Sequence, residues 1–273
     1  MPQCHPDDSV ALLRFKTSFS ISATPTRCGP STRIASWNES TNCCVWDGIT
    51  CDMATGHVIG VFIFCGGLHG TISSNSSLFF LRHLRSLSLI YNDFKGSPIV
   101  PEFGHFKNMT HLELSYSNFS GLVPLEISHL SKLISLRIGP SEQHKITIGA
   151  ATFKELSRNL TNLEELFLLG IDMSSVPVVS LMNLSSSLTY HVLQSCQLQG
   201  GLPQSFFHFP KLERLDVSVN NLRGHIPSSF FNLEPLQLLD LSHNYFIGQI
   251  PEFYGNSRPN ISSYSSNLCF LSV

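Results

Sequence analysis

Side chains able to do chemistry are plentiful here, with twelve histidines, eight cysteines and nineteen carboxylates among 273 residues. Imidazole is the usual general base and a common metal ligand, and a thiolate is a strong nucleophile, but each role needs partners at the right spacing. Those spacings are absent. No H-E-x-x-H occurs, no C-x-x-C pair is joined to a second at finger distance, and no G-x-S-x-G elbow presents a serine. Gly66-Gly67 and Gly200-Gly201 do not form a phosphate loop, and the carboxylates are scattered along the chain. The expectation is a non-enzymatic chain with no catalytic residues, no metal site and no cofactor. A net charge of −2, 13% charged residues and no Lys/Arg run also argue against a nucleic-acid partner.

What these side chains are mounted on is a repeated phrase, L-x-x-L-x-L-x-x-N-x-L-x-G-x-I-P, clearest in the copies that begin at Leu212 and Leu236. Its L-x-L part has strand period, so two leucines point inward and the residues between them outward. A unit of about two dozen residues with this pattern is the leucine-rich repeat, one strand and a return arc per turn of a solenoid. The first leucine of L-x-L falls at Val61, Leu87, Leu112, Leu136, Leu166, His191, Leu215 and Leu239, with steps of 24 to 26 residues and one of 30 after Leu136. The Asn position holds Asn92, Asn220 and Asn244, and Cys196 in the sixth copy; an inward Asn there can bond the backbone of the adjoining turn. The predicted fold is an α/β solenoid, a right-handed superhelix of about eight repeats over residues 57–254 with a parallel concave β-sheet and an irregular spacer at about 139–160. Residues 255–273 read as a degenerate or disordered tail. His191, in place of an inward leucine, is expected to be a neutral, hydrogen-bonded core histidine, and Cys196 a buried thiol. Most phenylalanines are expected to fill the return arcs.

Residues 1–56 fit the cap that the first turn of a solenoid needs. Asp7-Asp8-Ser9 offers helix-capping side chains, and the following segment places Leu12, Phe15 and Phe19 on one face. Then come SWN (Ser36–Asn38) and CCVWDGITC (Cys43–Cys51). Five cysteines precede the first repeat, which suits an oxidising compartment. Seven N-x-[S/T] sequons, at Asn38, Asn75, Asn108, Asn118, Asn159, Asn183 and Asn260, exceed the roughly three expected by chance and make these residues the expected glycosylation sites.

C-x-x-D-x-x-A-L-L-x-F-K, S-W-N and C-C-x-W-x-G-I-T-C together resemble the amino-terminal cap of plant extracellular leucine-rich-repeat proteins. L-x-G-x-I-P is similar to the plant form of the repeat. SSNSSLFFLRHL (Ser73–Leu84) and PLEISHLSKL (Pro124–Leu133) extend the resemblance to the receptor-like proteins of plant immunity, the Cf-type disease-resistance class. That resemblance implies bridges Cys4–Cys43 and Cys44–Cys51. Cys28 and Cys65 are left either as a third bridge or as separate thiols, and Cys269 is unassigned. Trp46 is expected to pack over the first coil. The resemblance further implies a protein or peptide ligand, receptor-like kinase co-receptors, and a place at the extracellular face of the plasma membrane or in the apoplast. Neither a leader nor a membrane span is visible, so an amino-terminal fragment or truncated paralogue is the expected form. The alternatives are a secreted inhibitor of cell-wall-degrading enzymes, similar to polygalacturonase inhibitors, and a non-functional truncated paralogue.

A ligand surface should lie where outward strand residues depart from the generic L-D-L-S. The candidates are His111, Glu113 and Tyr116 in the third copy and Arg137 in the fourth. Glu165, Phe167 and Leu169 follow in the fifth, Tyr190, Val192 and Gln194 in the sixth, and the near-generic Arg214 and Asp216 in the seventh. Aromatic and aliphatic groups beside Glu, Gln and Arg have the composition of a binding hot spot. The competing expectation is that the long spacer folds over Phe167 and Leu169. Phe62 and Phe64 are read as cap contacts.

Overall fold

The computed structural model describes residues 2–21, 33–141, 143–203, 209–229 and 235–248, and the backbone of 260–261. Two compact units divide the chain, Met1–Ile146 and Thr147–Val273. Cys28, Cys269, the side chain of Asn260 and most of the predicted tail lie outside the described residues.

In the first unit, helix α1 (Pro6–Thr17) starts with proline in its first turn, where a missing N–H costs nothing. His5 holds the N-cap position without a side-chain cap bond. The expected acidic cap does not form, because Asp8 turns inward and accepts hydrogen bonds from the Val58 amide (2.7 Å) and a His57 ring nitrogen (3.1 Å). Leu12, Phe15 and Phe19 bury as expected. Ser20–Ile21 pairs antiparallel with Leu68–His69, and Ile49–Cys51 with Val58–Phe62, so the cap donates edge strands to the first coil. The disulfides Cys4–Cys43 and Cys44–Cys51 are both present, and Cys65 is disulfide-bonded. Trp46 is buried, stacks on Trp37 at 5.7 Å and donates to the Thr41 hydroxyl.

From the cap the strands run in parallel register: Val58–Phe62 on Ser86–Ser88, that on His111–Leu114, and that on Ser135–Ile138. Val61, Leu87, Leu112 and Leu136 are all buried, as the inward set requires. The return arcs are short 3-10 turns, Ser77–Phe80, Pro101–His105 and Leu125–His129. Phenylalanines from turns and arcs interlock behind the sheet: Phe94 stacks on Phe119 at 4.9 Å, and Phe103 meets Phe79 edge-on at 5.1 Å. Gly104 is where two arcs come closest, since a Cβ there would stand 2.2 Å from the Glu126 carbonyl oxygen.

The second unit continues the pattern with Glu165–Leu168, Tyr190–Val192, Arg214–Asp216, Leu238–Asp240 and Asn260–Ile261, again parallel. The L-x-G-x-I-P text builds a second parallel row from Gln199–Gly201, Asn221–His225 and Tyr245–Ile247. Helix α2 (Ala150–Asn159) ends the long spacer and packs against the Val178–Asn183 arc turn. It therefore lies on the arc side and leaves Phe167 and Leu169 half-exposed.

The asparagine position performs the role expected of it. Asn92 donates to the Ile63 and Leu89 carbonyls and accepts from the Leu68 amide. Asn220 donates to Leu193, Val217 and Ser218 and accepts from the Cys196 and Leu198 amides. Each inward amide thereby ties three stretches of backbone that would otherwise be buried without partners. Where the residue changes, half the device survives. Ser117 donates to Leu89 O, and the buried Cys196 thiol donates to Leu168 O at 3.1 Å. Burial raises that thiol's pKa to about 12.

His191 is the neutral core histidine expected, but without the expected hydrogen bond. It is fully buried beside Phe209, and neither ring nitrogen finds a hydrogen-bond partner among the described residues. Burial lowers its pKa to about 4.

Candidate ligand-recognition surface

Every coil but the fourth makes the same bend four residues after its first inward leucine, and the backbone there is left-handed. The positions are Cys65, Tyr91 and Tyr116 in the first unit and Gly170, Ser195, Val219 and His243 in the second. The fourth coil has Pro140 at this place, whose ring forbids positive φ, and Gly139 takes the left-handed conformation instead (φ 84°). A recurrent bend of one shape sets successive side chains side by side, one coil apart.

In the first unit this registers an aromatic ladder. The rings of Tyr91 and Tyr116 stack at 4.8 Å, and Phe64 meets Tyr91 edge-on at 5.5 Å. Phe62 and Phe64 are each 41% exposed: the Phe62 ring lies over Gly60 beside Thr50 of the cap strand, as a cap contact should, whereas Phe64 turns to Tyr91, and its reading as a cap contact is corrected. Beside the ladder, Arg137 Nε lies 3.6 Å from Glu113, which also accepts from the Ser88 hydroxyl at 2.7 Å. His111 is exposed on the same strand as Glu113. The third- and fourth-copy candidates thus come together, joined by Phe64 and Tyr91, which reading outward strand positions alone did not select. The offset of Tyr91 from Leu87, equal to that of Tyr116 from Leu112, was the available signal.

The second unit carries a separate row. Glu165, Tyr190 and Arg214 are in register, as are Phe167, Val192 and Asp216. Phe167 and Tyr190 stack at 6.3 Å. The Glu213 carboxylate, 3.2 Å from the Tyr190 hydroxyl, raises that phenol's pKa. Gln194 donates to the Ser218 hydroxyl at 3.2 Å. Val192 and Asp216 are corrected as contact residues: they are 2% and 3% exposed. Both stand at outward-alternating positions, Val192 in register between Phe167 and Asp216 of the neighbouring strands. Asp216 accepts from the Ser218 amide and hydroxyl and pairs with Arg214 at 3.3 Å, so it rigidifies the row from beneath.

The sequon asparagines are not equivalent. Asn38, Asn75 and Asn183 are exposed, whereas Asn108, Asn118 and Asn159 are half-buried. Asn118 sits at φ 54°, donates its side-chain nitrogen to Asp93 at 2.8 Å and accepts from Ser141.

A disulfide-bonded cap, parallel coils and an inward asparagine position define a leucine-rich-repeat protein with an aromatic outward face. The chain matches the leucine rich repeat N-terminal domain over residues 5–52 and leucine rich repeats over 108–130 and 186–246. It is similar to receptor-like protein Cf-9 of Solanum pimpinellifolium, 40% identical over 228 residues, covering 80% of this chain and 26% of that protein. Among solved structures, the ectodomain of the Arabidopsis receptor kinase HAESA aligns at TM-score 0.55 and 23% identity, covering 90% of this chain and 46% of that one. The plant peptide hormone receptor RGFR1, in complex with RGF2, aligns at TM-score 0.50 and 25% identity over 67% of this chain and 32% of that one. The chain carries leucine-rich repeats behind their amino-terminal domain, is similar to plant receptor-like proteins of the Cf-9 type, and spans about a quarter of the length of the curated relatives it matches.

Proposed function

We propose that this chain supplies ligand recognition to a plant defence receptor-like protein, binding an extracellular protein or peptide on the outward face of its strands without catalysing a reaction. The carrying observation is the Phe64–Tyr91–Tyr116 ladder with Glu113, Arg137 and His111 beside it. Stacked, half-exposed rings give large apolar area at low entropy cost, and a neighbouring ion pair adds directional polar contact. The peptide complex of RGFR1 supports the ligand class, and the Cf-9-type relatives support a defence setting at the cell surface. Signalling then falls to receptor-like kinase partners. No described helix is long and apolar enough to cross a membrane.

The test is selection from a displayed random-peptide library on the secreted, disulfide-bonded chain, followed by titration of selected peptides. Tyr91→Ala with Tyr116→Ala should weaken them at least about tenfold, since two aromatic anchors are removed. Leu125→Ala and Val179→Ala, at exposed positions on the arc turns, should not. Peptides indifferent to the tyrosines but sensitive to those controls would reject the reading.

A further inference from the structure

The cap holds a cluster that the recognition surface does not use. His5 precedes α1, Asp8 lies in its first turn, His57 precedes the Val58–Phe62 strand, and His83 follows the Ser77–Phe80 turn. Their rings form one stack: His5 on His57 at 4.2 Å with planes 20° apart, and His57 on His83 at 3.9 Å and 19°. Asp8 is 5% exposed, with one carboxylate oxygen 3.1 Å from His57 Nδ1. One ligand atom from each of His5, Asp8 and His57 can be chosen so that all three lie within 4.8 Å of one another. His5 Nδ1 is buried and has no hydrogen-bond partner among the described residues. The group lines an open cleft of about 500 Å³ with Asp7, Arg14 and Arg82 at its rim.

The geometry points to a binding site for one first-row divalent cation, zinc foremost, held by His5, Asp8 and His57 with His83 as flanking fourth group. At zinc–nitrogen and zinc–oxygen bonds of about 2.0–2.1 Å, tetrahedral ligands stand roughly 3.3 Å apart. The Asp8–His57 separation of 3.1 Å already meets that; stacked rings hold their in-plane lone pairs nearly parallel, so the His5 ring must turn out of the stack to close the 4.8 Å outer span. Asp8 is also oriented as a ligand needs to be, because the Val58 amide donates to its Oδ2 at 2.7 Å. Two carboxylates and two guanidinium groups leave the cleft near neutral apart from the imidazoles. The site therefore selects by imidazole coordination, and a hard cation such as calcium, which needs six or more oxygens, is disfavoured. Bound zinc would pin the start of α1 to the first coil. The cysteine trio Cys4, Cys43 and Cys44 is no rival, because all three are in disulfides.

The experiment uses the full chain, secreted and oxidised, with zinc chloride titrated by calorimetry and cobalt as a spectroscopic surrogate. One equivalent should bind per chain, with visible cobalt bands of nitrogen and oxygen ligation and a higher melting midpoint. Asp8→Asn, which preserves the shape, and His57→Gln should each weaken binding at least about tenfold, while His105→Ala, on an exposed arc turn, should leave it unchanged. If His57→Gln does not fold, zinc-dependent shifts of the His5 and His57 ring protons in the unsubstituted chain decide the matter. No saturable uptake at millimolar zinc, unchanged affinity in folded Asp8→Asn, or ring protons that do not shift would each overturn the assignment.

Discussion

Replacing His191 with leucine should stabilise this protein, and by more as the solution is acidified. The imidazole is wholly buried, neither nitrogen has a hydrogen-bond partner among the described residues, and its pKa falls from 6.5 to about 4. Because the folded pKa lies below the unfolded one, the unfolded chain takes up the proton first. Stability is therefore intact above pH 6.5, falls as pH drops from 6.5 towards 4, and levels off below 4. That lowering of the pKa corresponds to roughly 3 kcal/mol in full, of which about 1 is lost between pH 7 and 5.5. Leucine, the residue that the repeat phrase places here, removes this loss. It also removes the cost of an unpartnered polar group, about 1–3 kcal/mol at any pH. Urea unfolding followed by circular dichroism at pH 7, 5.5 and 4.5 measures both. The variant's midpoint should exceed the parent's at pH 7, and the gap should widen by about 1 kcal/mol at pH 5.5. A gap that does not change with pH, or a His191 ring proton that titrates near 6.5 in the folded chain, would refute the reasoning.

Cys196, with its thiol pKa raised to about 12 by burial, should resist alkylation at pH 8 in the folded chain and react at once in denaturant, read by intact mass. Asn220→Ala leaves two amides and three carbonyls without their partner and should cost about 3 kcal/mol or more in denaturant unfolding, whereas the exposed Asn221→Ala should change little. Removing the Cys4–Cys43 bridge as a double serine variant should cost about 4 kcal/mol by loop entropy, against about 2.5 for Cys44–Cys51, a ranking visible in the two melting midpoints. Glycopeptide mapping of the secreted chain should find Asn38, Asn75 and Asn183 occupied and Asn118 bare, because a glycan there must attach to a half-buried nitrogen already held by Asp93; an occupied Asn118 in folded protein contradicts this.

The sequence by itself determined what repeats locally. Leucines three and then two apart dictate a strand that buries alternate residues, and so the inward set from Val61 to Leu239, the asparagine position and the parallel register of the coils all follow from spacing. Adjacent Cys43 and Cys44 with Cys4 and Cys51 around them made the bridged cap legible once its resemblance was seen. What only the tertiary structure decided concerns residues that meet across coils. Alternation says that Val192 and Asp216 face outward, yet both are buried: Val192 lies in register between Phe167 and Asp216, about two dozen residues away on the neighbouring strands, and Asp216 is held by Arg214 and Ser218. The same distance hides the Phe64–Tyr91–Tyr116 ladder, whose members share no strand, and leaves His191 without a hydrogen-bond partner among the described residues. The stack of His5, His57 and His83 is furthest from legibility. Metal-ligand spacing can be read from a chain only when one helix or turn supplies the ligands, and here Asp8 and His57 are brought together from 49 positions apart by the packing of a capping helix on the first coil.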